Sequence, residues 1–401
     1  MGYNCSALSL VPNIIRSGLM SKLVETLARP AALIATARRI TVKVGSSLLV
    51  EDNREMPRHA WLASLGKDIG QLHRDGRQIV IASSGAVALG RRFSAIKQPR
   101  RLAPKQAAAA LGQPRLMRAW EEAVAPFGIP TAQLLLTLDD TESRRRWLNA
   151  RATIEVLLAS GALPIVNEND TVATEELRYG DNDRLSARVA QMIQSDLLIL
   201  LSDVDGLYTG DPRRDPTSTH VPHIGAIDDE VESWAGGPSA NGPGSGGMRT
   251  KIAAARIAQG FGCATIIASG HADHPLSKLA SGDARATVID AKGTPARAYK
   301  QWIRGTLVPA GSLHVDSGAV AALAQGKSLL PAGVFQVDGE FERGVCLRIL
   351  GPDKREVARG ITAYTSNETR AILGLTSSEF EQRLGFSGPD ELVHRNDLVL
   401  M

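Results

Sequence analysis

The run Leu197-Leu198-Ile199-Leu200-Leu201 is apolar at every position and leads directly into Ser202 and Asp203. A strand with one wet face alternates apolar and polar residues, so an unbroken apolar strand needs cover on both faces. A parallel sheet with crossover helices on either side provides it. Four further strand patterns precede this one. Arg39-Ile40-Thr41-Val42-Lys43-Val44 ends in Gly45-Ser46-Ser47, and Gln78-Ile79-Val80-Ile81-Ala82 ends in Ser83-Ser84-Gly85-Ala86. A third covers 131–137, and Leu163-Pro164-Ile165-Val166 empties into Asn167-Glu168-Asn169-Asp170. Helical patterns over 60–75, 104–123, 144–160 and 184–194 separate them. The alternation predicts an α/β fold: an open, mostly parallel sheet sandwiched by helices.

In such sheets, ligands bind outside the carboxyl ends of the strands. Lys43 to Ser47, Ser84-Gly85, Asn167 to Asp170 and Ser202-Asp203 all occupy that kind of position. Farther on, the glycine-dense Ser245-Gly246-Gly247-Met248-Arg249-Thr250-Lys251 runs into a helical pattern. Glycines admit a phosphate close to backbone N–H groups, a helix N-terminus favours its charge, and Lys251 adds a cation. Asp181-Asn182-Asp183 places two carboxylates around an amide. A phosphate cradle with an acidic grip points to phosphoryl transfer, where positioning and charge neutralisation carry the catalysis. Plainer readings stand beside these. Lys43 can be a solvent-facing strand lysine, Asp183 a helix N-cap, and Asp203-Val204-Asp205-Gly206 a simple turn.

Other chemistries find less support. The formal net charge of +4 is compatible with an anionic substrate but too mild to indicate nucleic acid, and 4% aromatic residues make a poor base-stacking platform. Cys5, Cys263 and Cys346 are far apart, which indicates neither a disulfide framework nor a zinc site and fits a reducing cytoplasm. No apolar run is long enough to span a membrane. His220, His223, His271 and His274 lack companion ligands at metal spacing, so no metal site is assigned. Gly326-Lys327-Ser328 lacks the earlier glycine of a P-loop, since Ala321 stands there. Gly242, Gly244 and Gly247 match a dinucleotide fingerprint, but no strand leads into them.

Composition shifts mark three further segments. Residues 1–38 carry four basic side chains against Glu25 and are expected to be a poorly ordered extension. A targeting segment, or a start at Met20, is the alternative. The expected catalytic domain covers 39–300, a polar linker 301–311, and a second domain 312–401. In the last, the short segments Val334-Phe335-Gln336-Val337, Val345 to Leu350 and Val357 to Ile361 predict a small, mostly-β barrel.

Together these motifs resemble the series found in glutamate 5-kinases of the amino-acid kinase superfamily. The resemblance rests on Val42-Lys43-Val44-Gly45, Ser83-Ser84-Gly85-Ala86, Asn167-Glu168-Asn169-Asp170, Gly180-Asp181-Asn182-Asp183, Asp203-Val204-Asp205-Gly206 and Gly246 to Lys251. It runs from about Arg39 to the C-terminus, the second domain resembling a PUA domain. The resemblance implies ATP-dependent phosphorylation of the side-chain carboxylate of L-glutamate, with Mg2+ carried by the nucleotide phosphates. Lys43 and Lys251 would neutralise the transferring group, with Asp183 holding both. Ser84, Gly85, Asn167, Asp170, Asp181 and Asn182 would bind glutamate. Lys43, Ser202, Asp203 and Ser245 to Lys251 would hold ATP. Ser202 departs from the usual threonine but keeps the hydroxyl. Proline as feedback inhibitor, a homo-oligomer (dimer or tetramer) and a cytoplasmic location are implied too, with RNA binding by the PUA domain not expected. The alternatives are another carboxylate kinase of the superfamily and, in a different class, an RNA-binding accessory protein.

Overall fold

A computed structural model describes residues 29–51, 56–91, 102–173, 181–236, 247–305 and 307–401. These fall into two units. One holds the described residues up to Leu138 with Thr153–Lys292, the other Asp139–Ala152 with Gly293–Met401.

The first unit is built on an eight-stranded sheet. Its strands are β1 (Arg39–Val44), β2 (Gln78–Ser83), β3 (Thr131–Leu136), β4 (Leu163–Glu168), β5 (Leu197–Ser202), β6 (His223–Ile224), β7 (Ala264–Ser269) and β8 (Ala286–Ile289). They lie in the order β6-β8-β7-β5-β1-β2-β4-β3, and every neighbouring pair is parallel except β7 with β8. The helices around the sheet include α1 (His59–Arg74), α2 (Ala86–Arg91), α3 (Leu102–Val124), α4 (Arg144–Ala159), α5 (Asp181–Met192), α6 (Met248–Gly260) and α7 (Pro275–Ser281).

The apolar run of β5 is divided between two cores. Leu197, Ile199 and Leu201 join Val42, Val44 and Ile266 against Trp61 of α1, Trp120 of α3 and Leu276 of α7. Leu198 and Leu200 join Ala187 of α5 and Ile252 and Ala255 of α6 on the other side. All five strand residues are fully buried, each contributing on the order of 2 kcal/mol of transfer free energy.

Two expectations change here. Part of the stretch expected to be an unstructured extension, residues 29–36, is helical, and Ile34 and Ala37 sit in the first core. Burial of these apolar groups offsets the cost of ordering them. The stretch read as a linker begins inside helix α8 (Pro295–Gly305), whose Tyr299 and Ile303 are buried. A polar composition had masked two apolar residues at helical spacing.

The second unit centres on a five-stranded sheet of β9 (Gly311–Val315), β10 (Val334–Asp338), β11 (Cys346–Leu350), β12 (Glu356–Ile361) and β13 (Leu398–Leu400). The order is β10-β9-β11-β12-β13, antiparallel except between β9 and β11. Leu313, Leu347, Ile349, Tyr364, Phe380 and Leu392 form its core. The start of α4 belongs to this unit: Arg151 pairs with Asp397 at 2.6 Å, and Trp147 stacks on Tyr299.

Candidate active site

The four strand ends singled out by sequence belong to adjacent strands, β5, β1, β2 and β4 in that order. Alternation along β1 sends Val42 and Val44 into one core and turns Lys43 to the opposite face. That face is covered by α5 and α6, so Lys43 is buried, 8% exposed, and the solvent-facing alternative is excluded. Its Nζ lies 2.6 Å from Asp183 Oδ1. Lys251, one turn into α6 and 3% exposed, places Nζ 3.2 Å from Asp183 Oδ2. Thr250 Oγ1 donates to the same Oδ2 at 2.8 Å.

Asp183 is the third residue of α5 rather than its cap, because the helix begins at Asp181. In an Asp-Asn-Asp run either acid can start a helix, so sequence alone does not fix the frame. Placed one step inside, the carboxylate faces the two lysines. Burial raises the Asp183 carboxyl, but Lys43 and Lys251 outweigh it and hold it below the ordinary carboxylate range. Burial lowers the Lys251 ammonium; Asp183 opposes that and Lys43 adds to it.

Beside this triad lies a cluster of amides. Gly85 follows β2 with φ of +108°, a conformation open to glycine at little cost. The turn presents Ser84, whose Oγ accepts from Asn182 Nδ2 at 2.6 Å. The same Nδ2 approaches Asn167 Oδ1 at 3.3 Å, so residues from β2, β4 and α5 meet. Asn167 Nδ2 in turn donates to Gln113 Oε1 on α3 at 2.9 Å. Sequence reasoning missed Gln113, because a glutamine in an alanine-rich helix usually faces water. The available signal was its flanking Gly112 and Pro114, an odd pair for a helix interior.

Gly112 explains the placement of α3. A Cβ on Gly112 would stand 1.8 Å from the Ala86 carbonyl oxygen, and one on Gly90 would stand 1.7 Å from that of Ala108. Helices α2 and α3 therefore cross backbone on backbone, and Gln113 follows at once.

Asp170 sits in the turn after β4, partly buried. Burial pushes its carboxyl up to about 6. No hydrogen bond or ion pair joins it to another side chain among the described residues. Ser202, at the end of β5, donates to Asp203 Oδ1 at 2.8 Å. Burial raises the Asp203 carboxyl, but the bond from Ser202 leads the influences that hold it lower. Gly247 caps α6, Met248 packs against the second core and Arg249 is exposed. Ser245, Gly246 and the side chain of Asp181 lie outside the described residues. Among the described residues, no three His, Cys, Asp or Glu side chains group as a metal site, and no helix is long and apolar enough to cross a membrane.

Residues 38–269 match the amino acid kinase family, and residues 311–384 match the PUA domain. Glutamate 5-kinase of Caulobacter vibrioides is 54% identical over 91% of this chain and 97% of its own. That of Paramagnetospirillum magneticum is 51% identical over 92% of this chain and 99% of its own. Carbamate kinase from Giardia lamblia, solved with AMP-PNP, is 17% identical over 64% of this chain and all of its own, with a TM-score of 0.46. The chain belongs to the amino acid kinase family and, within it, to the glutamate 5-kinases.

Proposed function

We infer that the chain transfers the terminal phosphoryl group of ATP to the side-chain carboxylate of L-glutamate, giving L-glutamyl 5-phosphate and ADP, a product committed to proline. One observation carries the reading: two buried lysines share the Asp183 carboxylate, next to a partly buried cluster of amide and hydroxyl groups. A glutamate carboxylate oxygen bonds to phosphorus as the bond to the bridging oxygen of ADP breaks, and that electron pair leaves with ADP. The acceptor is already ionised and needs no general base. Asp183, held below the carboxylate range, is unsuited to be one.

In this reading Lys43 and Lys251 neutralise the transferring group, and Asp183 fixes both ammonium groups. Asp170, which pairs with no cation among the described residues, receives the α-ammonium. Ser84, the Gly85 backbone, Asn167 and Asn182 orient the remaining polar groups, Asp181 standing at the same helix start. Ser202, Asp203 and residues 245–251 hold the nucleotide. Magnesium bound by the nucleotide phosphates would lower their charge. Proline shares the α-amino and α-carboxylate groups of glutamate, so it would compete for the same residues. A dimer or tetramer completes the proposal. An RNA partner is not favoured, since Glu340 and Glu342 line the concavity beside Phe341 and would repel a phosphate backbone.

The test is ADP release with glutamate, aspartate, N-acetylglutamate or UMP as sole acceptor. Only glutamate should support turnover, and Lys251→Met should lower its kcat by about 100-fold or more while moving KM little. Turnover within about twofold of the parent would end the phosphate-cradle assignment.

A further inference from the structure

Gln113 is 9% exposed, and its Nε2 is buried without a hydrogen-bond partner among the described residues. Its Oε1 accepts from Asn167 Nδ2 at 2.9 Å. The polarity of this contact is set elsewhere. The Glu168 backbone N–H donates to Asn167 Oδ1 at 2.8 Å, and a backbone N–H can only donate. The oxygen of Asn167 must therefore face Glu168, and its Nδ2 must face α3. There it needs an acceptor, which Gln113 supplies. With Asn167 Oδ1 so placed, Asn182 turns Nδ2 toward it and toward Ser84, leaving Asn182 Oδ1 buried and unpaired among the described residues. A relay of three amides thus ends in one defined acceptor.

We propose that Gln113 is a positioning residue for the glutamate end of the site, holding the Asn167 amide so that Asn182 presents its carbonyl and Ser84 keeps its partner. The proposal rests on the reading that these residues bind glutamate. Gln113 acts through Asn167 and does not touch the phosphoryl group. Removing its carbonyl leaves Asn167 Nδ2 buried and unpaired, which favours rotation of the amide and loss of the Asn182 contact.

The experiment is steady-state kinetics on the full-length chain with Gln113→Met, which keeps the length and removes the acceptor. The KM for glutamate should rise about tenfold, with kcat and the KM for ATP within about twofold. Gln113→Glu restores an acceptor oxygen and should bring the glutamate KM back to within about threefold of the parent. In an Asn167→Ala background, Gln113→Met should add nothing to KM, because its path is already cut. An unchanged glutamate KM in Gln113→Met, or an equal rise in both backgrounds, overturns the proposal. Should Gln113→Met fail to fold, Gln113→Asn withdraws the carbonyl by one methylene and should raise KM where Gln113→Glu does not. Equal values for those two also overturn it. The parent chain separates the failures: no glutamate turnover there defeats the proposed function, whereas parental turnover with a normal KM in Gln113→Met defeats only this inference.

Discussion

Asp183 in the first unit and Asp397 in the second meet their partners in different proportions. Asp183 is shared by two buried lysines, with Thr250 adding a donor. Asp397 pairs with Arg151 and accepts from the Tyr299 hydroxyl at 2.7 Å, and Arg144 also feels its charge. Around Arg151 the rings of Trp147 and Tyr299 lie 5.7 and 4.9 Å from the guanidinium. The second arrangement encloses the paired cation in aromatic carbon and uses a neutral hydroxyl as the second donor, as a fold-stabilising pair does. The first gathers two cations on one buried anion. A folding unit gains little from that ratio, since ion burial is costly unless fully compensated. On the proposed reading, an arriving anion supplies the missing compensation.

Replacing each carboxylate in turn breaks the comparison where it is strongest. Asp183→Asn leaves two buried lysines without their counter-charge, and breaking a buried pair costs roughly 3–5 kcal/mol. The expected outcome is a large fall in denaturation midpoint together with near-complete loss of turnover. Since the folded carboxyl lies below its unfolded value of 3.8, the parent holds this stabilisation above that pH. It is lost as pH falls through the lower folded value. A variant as stable as its parent, measured by urea titration, would mean that the lysines do not depend on Asp183.

Asp170 should give an intermediate effect. Its carboxyl titrates at about 6, raised by burial above the ordinary 3.8. The stability it lends the ligand-free fold belongs to the protonated form. That term is complete below pH 3.8 and gone once pH rises through about 6. Ammonium binding needs the ionised form, so the KM for glutamate should rise several-fold between pH 7.5 and pH 5.5, roughly as the protonated fraction grows. Asp170→Asn should show a high KM with that pH dependence removed. A parallel dependence in parent and variant would assign the titration to another group.

The smallest effect is expected in the second unit. Asp397→Asn keeps hydrogen-bonding capacity for Arg151 and Tyr299 but removes the charge, at a cost of about 1–2 kcal/mol for a partly exposed site. Melting should shift by a few degrees with kcat and both KM values unchanged. A change in glutamate KM would show that charge balance in this unit reaches the chemistry.

Much of the first unit was legible because hydrophobic patterning is a direct record of cover. An apolar β5 can only lie inside, and the small and acidic residues after β1, β2, β4 and β5 converge once those strands are adjacent. Lys43 was readable in direction but not in depth, because alternation tells which side it takes and not whether that side is dry. Gln113 was hidden because its role depends on a helix crossing made by residues distant in sequence. In the second unit β9 and β13 went unread, the one because its apolar signal is only Leu313 and Val315, the other because Leu398–Leu400 spans three residues. Such short strands are defined by their pairing partners more than by their own pattern.

The crossing of α2 and α3 has a consequence for how substitutions in this protein will be read. With Gly90 and Gly112 in contact, no rotamer stands between the two backbones to absorb a misfit. An added methyl at either position must displace a whole helix, and α3 would carry Gln113 with it. A mutational scan would then score both glycines as though they were ligand contacts. Their sensitivity would be that of a fixed mounting, inherited by everything bolted to it, rather than that of a surface that touches substrate.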